Sequence, residues 1–129
     1  MAVNYSQTAI NYRLQGVVLA IDDGLTNGSL QLLTNGAVVL STISLAYPCG
    51  TVNGGVLTFA GTLLDPAAAN TGAAIEGRIY DSNGNLMVSG LTVGIPLSGA
   101  DILLTNGLNS TVITAGQTVQ LLSAQITGS

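Results

Sequence analysis

The sequence predicts a mainly-β chain, an antiparallel β-sandwich or jelly roll of roughly seven or eight strands with one N-terminal α-helix. Three observations predict it. Apolar residues recur every three to four positions only near the N-terminus. From about residue 27 onward they alternate with a period of two. The alternating runs are separated by turn dipeptides, with Asn-Gly present five times, at Asn27, Asn35, Asn53, Asn83 and Asn106. A chain of 129 residues fits one domain, which divides into an N-terminal arm and helix (1–24) and a sandwich (25–129).

In the helix, Ile10, Leu14, Val17, Val18 and Ile21 fall on one face at 3.6 residues per turn. Ser6 stands where an N-cap hydroxyl accepts a free backbone N–H, and Gly24 where a helix stops. Asn11, Arg13 and Gln15 fall mostly on the polar side. Gly16 costs the segment about 1 kcal/mol relative to Ala. Strands then follow. Leu30 and Leu32 alternate with Ser29 and Gln31. Val39, Ser41, Ile43 and Leu45 form one face of a second run. Val56 to Thr62 is a third, and Ile75, Gly77 and Ile79 alternate with Glu76, Arg78 and Tyr80. Leu86 to Val93, Asp101 to Leu104, Val112-Ile113 and Thr118 to Thr127 complete the set. The stretch Asp81-Ser82-Asn83-Gly84-Asn85 predicts a hairpin with Asn83-Gly84 at its tip, Tyr80 across from Met87 and Arg78 across from Ser89. Leu64 to Gly72 reads as a loop or short helical turn, and Tyr47 to Asn53 as a loop.

Composition narrows the function. Charged residues make up 6% of the chain, against about 25% in ordinary soluble domains. Arg13 and Arg78 are the two cations, and lysine and histidine are absent. A net charge of −4 opposes nucleic acid and anionic membranes as partners. Hydrophobic residues reach 47%, with 17 glycines besides. That is more than one small core absorbs, and it predicts contact with copies of the same chain or with another protein. Strand edges are normally blunted by Lys or Pro; without lysine, some edges are expected to be closed by neighbouring chains. No basic segment precedes an apolar run at the N-terminus, so export by a classical signal is not expected.

The residue inventory argues against catalysis, and no cofactor or metal is expected. Without His there is no Ser-His or Cys-His couple, and without Lys no phosphate-loop lysine or Schiff base. One cysteine, Cys49, cannot form an internal disulfide and reads as inert. Asp22 and Asp23 read as solvated residues at a helix end, and the Asp81 loop as a turn lacking the closing Glu of a calcium site. The residues left as candidate interface anchors are Tyr5, Tyr12, Arg13, Tyr47 and Arg78, aromatics and arginines being the types that carry interfaces.

Several elements occur in a telling order: Asn4-Tyr5-Ser6 leading into a helix, then Gly54-Gly55-Val56-Leu57-Thr58. An Arg-x-x-Asp-Ser-x-Gly hairpin follows (Arg78, Asp81, Ser82, Gly84). The ending runs from Ser98-Gly99-Ala100-Asp101 to Ile113-Thr114-Ala115-Gly116-Gln117-Thr118-Val119. This ordered set resembles small structural proteins of tailed-bacteriophage virions, of the capsid decoration or cement type. The segment from Ala37 to Gly50 departs from that pattern. The resemblance implies a β-sandwich or jelly-roll core on the capsid surface of the virion. It implies the major capsid protein as partner and no catalytic residues; self-association as a dimer or trimer is expected from the apolar, charge-poor composition. The alternative is a tail, baseplate or fibre-associated binding module.

Overall fold

The structure, a computed structural model, describes residues 6–23, 27–95, 98–104 and 111–127. Helix α1 (Gln7–Ile21) begins where the sequence places it, with the Ser6 Oγ accepting the Ala9 N–H at 3.1 Å. This satisfies one of the donors that a first turn leaves unpaired. The helix closes at Asp22, whose N–H donates to the Val18 carbonyl at 3.0 Å. Gly24 lies outside the described residues. Leu14, Val18 and Ile21 are buried, and Ile10 and Val17 pack against the same core.

The strands are β1 (Ser29–Leu33), β2 (Val39–Ser44), β3 (Gly50–Asn53), β4 (Val56–Phe59), β5 (Leu64–Asp65), β6 (Gly72–Ala73), β7 (Glu76–Tyr80), β8 (Leu86–Gly94), β9 (Ile102–Leu104), β10 (Val112–Ile113) and β11 (Val119–Thr127). Eight of them run side by side as β2-β1-β7-β8-β9-β11-β4-β3, with β5 added against β11 and a separate β10–β6 pair. The path curls into a sandwich or half-barrel. Every pair is antiparallel except β8–β9, which is parallel through Val93↔Ile102 and Gly94↔Leu103. The sheet is therefore mixed.

Alternation sorts the two faces. Leu30 sits between Ile43 and Ile79 across the ladders, and Leu32 between Ser41 and Gly77. All but Ser41 and Gly77 bring bulk to the core, and Leu30, Leu32, Ile43 and Ile79 are fully buried. The opposite face carries Ser29, Gln31, Thr42 and Ser44, then Glu76, Arg78 and Tyr80. Gly77 makes room: a Cβ there would land on the Ile102 side chain, with Leu91 and Leu30 close by. Side chains from β1, β8 and β9 thus converge over a residue that has none, which lets the curled sheet fill its own interior.

Several sequence expectations shift in detail. Gly50–Asn53 is a strand and not a loop. It turns into β4 through Gly54 and Gly55, both at positive φ (60° and 81°), so the left-handed pair sits one residue beyond Asn53-Gly54. The β1–β2 turn likewise puts its left-handed residue at Ala37 (φ 63°), one past Asn35-Gly36. In the β7–β8 hairpin the Gly84 N–H donates to the Asp81 carbonyl at 3.1 Å and Gly84 takes φ 84°. Ser82-Asn83 therefore forms the tip, with Gly84 following it. Two irregularities in the ladder then set Tyr80 across from Leu86, not Met87, and Ile79 across from Val88. Arg78 faces the irregular stretch between the Ile79 and Gly77 pairings, so a direct Arg78–Ser89 pair is not formed. Leu64 to Gly72 begins and ends in the short strands β5 and β6.

That same segment covers the outer edge of β2. Asp65 Oδ2 accepts the Thr42 N–H (3.2 Å) and the Ser41 hydroxyl (2.7 Å). Ala69 N–H donates to the Leu40 carbonyl (2.8 Å) and Asn70 Nδ2 to the Val39 carbonyl (2.7 Å). This edge is closed by the chain itself, where the lack of lysine had suggested a neighbouring chain.

Candidate interaction surface

The acidic residues show what the few charges do. Asp65 caps β2 and also accepts the Ala67 N–H at 3.1 Å. Asp81 Oδ1 accepts the N–H groups of Asn83 and Asn85, each at 2.9 Å, and its Oδ2 the Asn85 side-chain amide. Asp101 Oδ2 accepts the Thr92 N–H at 3.0 Å and the Thr92 hydroxyl at 3.1 Å. Glu76 binds the Gly90 N–H at 2.8 Å through one oxygen and Arg78 at 3.1 Å through the other. Asp22 Oδ2 accepts the Cys49 N–H at 3.2 Å. Five of the six carboxylates are thus turned onto the chain's own backbone, and Asp23 is exposed at the helix end.

Asp22 and Asp101 therefore serve different parts of the fold, one bonding Cys49 ahead of β3 and the other Thr92 within β8. Asp22 also departs from its expected solvated state, because its Oδ1 is buried without a hydrogen-bond partner among the described residues. The Cys49 thiol is fully buried, and burial, reinforced by the Asp22 charge, pushes its pKa up to about 12. It stays a protonated thiol at neutral pH, and nucleophilic chemistry needs the thiolate.

The candidate anchors separate into two regions. Arg78 lies on the outer sheet face, where the Glu76 carboxylate first and the Tyr80 hydroxyl second hold it charged. Its charge is spent within the chain. Tyr12 and Arg13 stand exposed on α1, with Tyr12 73% accessible. Tyr47, 48% exposed, belongs to a groove of about 550 Å³ that it shares with Val18, Leu19, Asp22, Asp23 and Pro48. The fold therefore brings Tyr47 to the C-terminal end of α1, while Arg78 does not line that groove. Tyr5 lies outside the described residues.

Comparison with protein-family models, with curated proteins and with solved structures finds no match to this chain. The surface itself has to speak for the function.

Two further residues of α1 bear on this surface, one legible in the sequence and one not. Leu19 is 72% exposed, and it sits outside the helical stripe of Ile10, Leu14, Val18 and Ile21, which already marked it as outward-facing. Asn11, assigned to the polar side, is half-buried; its Oδ1 accepts the Gly55 N–H at 2.8 Å and fixes the helix to the β3–β4 turn. Nothing in the spacing of α1 signals that contact, because the hairpin it meets is 44 residues away.

The stitched carboxylates carry a pH prediction. N–H groups, those of Asn85 foremost, hold the Asp81 carboxyl below its ordinary value of 3.8, and Arg78 followed by the Gly90 N–H lowers that of Glu76. A carboxylate whose folded pKa is depressed stabilises the native state above its unfolded pKa. That contribution is lost as pH falls through the folded value. Thermal unfolding followed from neutral pH into the acid range is expected to show a falling midpoint below the usual carboxylate range, flattened in Asp81→Asn.

Proposed function

We propose that this chain is a non-catalytic structural protein that decorates and cements a capsid shell by bridging major capsid protein subunits at the virion surface. One observation carries the reading. Five of the six carboxylates and Arg78 are bonded within the chain, while large apolar side chains (Tyr12, Leu19, Tyr47, Leu86 and Leu122 among them) stand 48–73% exposed. An exterior of this kind suits a contact made of neutral, apolar area. Such a contact keeps its strength when ionic strength changes, because salt screens charge pairs and leaves hydrophobic burial in place. The order of motifs along the sequence supports the same assignment, and the sandwich is a suitable rigid spacer for it.

The test is stoichiometry. Quantitative mass spectrometry of purified virions is expected to find the chain at a ratio near that of the major shell subunit, and retained through a high-salt wash. A small fixed copy number would move it to the tail, baseplate or a fibre. Absence from the particle would remove the assignment.

A further inference from the structure

The outward face of α1 has a shape and a charge order that fit one partner. Tyr12, Gly16 and Leu19 succeed one another at steps of four and three residues, which is a single line along the helix, and Asp23 follows two residues beyond its last turn. All four are exposed, and Tyr12 and Leu19 are more than 70% accessible. Gly16 lies in the gap between the two large side chains. A Cβ at Gly16 would meet nothing within 4 Å, so no contact inside the chain calls for glycine there. Yet glycine in mid-helix is unfavourable by roughly 0.5–1 kcal/mol against alanine. A notch that the chain's own packing does not use, beside an exposed leucine of the same helix, is a knob and a hole on one surface.

The charges settle the direction. Arg13 stands in the first half of α1, and Asp23 follows its C-terminal end, where the last turn holds no basic residue and the carbonyl ends are electronegative. Two parallel copies would set Arg13 against Arg13 and Asp23 against Asp23. Antiparallel copies exchange them, and two-fold symmetry makes every contact twice.

We propose that α1 is a self-association face on which a second copy of this chain lies antiparallel, its Leu19 seated over Gly16 and its Arg13 beside Asp23. Tyr12 then packs near the partner's Asp23, within reach of a hydroxyl–carboxylate hydrogen bond. Tyr47 and Pro48 continue the surface at the rim of the groove. This pairing does not rest on the shell assignment, because it is a property of the free chain.

Sedimentation equilibrium of the full chain in solution tests it. The wild-type chain is expected to be a dimer. Leu19→Asp, which removes the knob, and Gly16→Leu, which fills the hole, are expected to be monomers with unchanged circular dichroism. Arg13→Asp and Asp23→Arg are each expected to weaken the dimer, and the double variant to recover it. A wild-type chain that stays monomeric, a dimer indifferent to Leu19→Asp, or a double variant no better than the single ones would overturn the proposal. A monomer in solution would leave the shell assignment standing, and a chain missing from the virion would leave the dimer standing.

Discussion

Ile79→Ala is expected to destabilise the chain by about 2–5 kcal/mol, the range for removing a buried isoleucine from a packed core. Ile79 is fully buried. It lies in β7, paired with Leu30 of β1 on one side and Val88 of β8 on the other. Neighbouring positions cannot slide in to refill the space. The interior above Gly77 is already occupied by Ile102, Leu91 and Leu30, and there a whole side chain takes the place of the missing one. A domain of this size has roughly 5–15 kcal/mol of stability in all, so the loss is a large share of it. Chemical denaturation is expected to show a lower midpoint with little change in slope, and the thermal midpoint is expected to fall by roughly 10 °C or more. A loss below about 1 kcal/mol would mean that β1, β7 and β8 do not share one interior.

Gly50→Ala is the second. Gly50 opens β3 and pairs with Phe59 of β4. A Cβ there would fall on the Thr58 carbonyl oxygen, a backbone atom. Thr58 cannot retreat, since it is held between Thr51 of β3 and Gln125 of β11. The strands must part instead. Overpacking of this kind costs about 1–3 kcal/mol where side chains can yield, and here the obstacle is main chain, which places the effect at the upper end. The Asp22–Cys49 hydrogen bond adjoins this residue, so the end of α1 is expected to loosen with it. Amide hydrogen exchange would register that as faster exchange at Cys49 than in the wild-type chain. Gly36→Ala is the control: its Cβ would meet Thr34 Oγ1 at 3.9 Å and nothing closer. Its stability is expected to move by no more than about 0.5 kcal/mol.

How far the sequence could be read depended on the range of the interaction responsible. The helix and most strands follow from periodicity and from caps a few residues away, such as Ser6 on Ala9, and these were legible. The turns were legible in place but not in phase. Asn-Gly marked them, yet the left-handed residue came one position later at Ala37 and at Gly55, because the ladder on either side decides where the chain must reverse. The hairpin register slipped for the same reason, through irregularities on both sides of Ile79. Strand β3 was missed because Gly50-Thr51-Val52-Asn53 carries little alternation of its own. It exists by pairing with β4 and by lying under α1, which is tertiary context overriding local preference. On the surface, Tyr12 and Tyr47 were identifiable by residue type, whereas Leu19 and Asp23 join Tyr47 only once the loop is folded back on the helix.

The strap of residues 65–70 along β2 has a consequence for life at high concentration. An open sheet border with bare amides is a template on which further molecules stack without end. Here the chain occupies that border with the Asp65 carboxylate, the Ala69 N–H and the Asn70 side-chain amide. Growth by strand addition at β2 is therefore blocked. For a protein this poor in charge, one route to fibrous precipitation is thereby shut off from within.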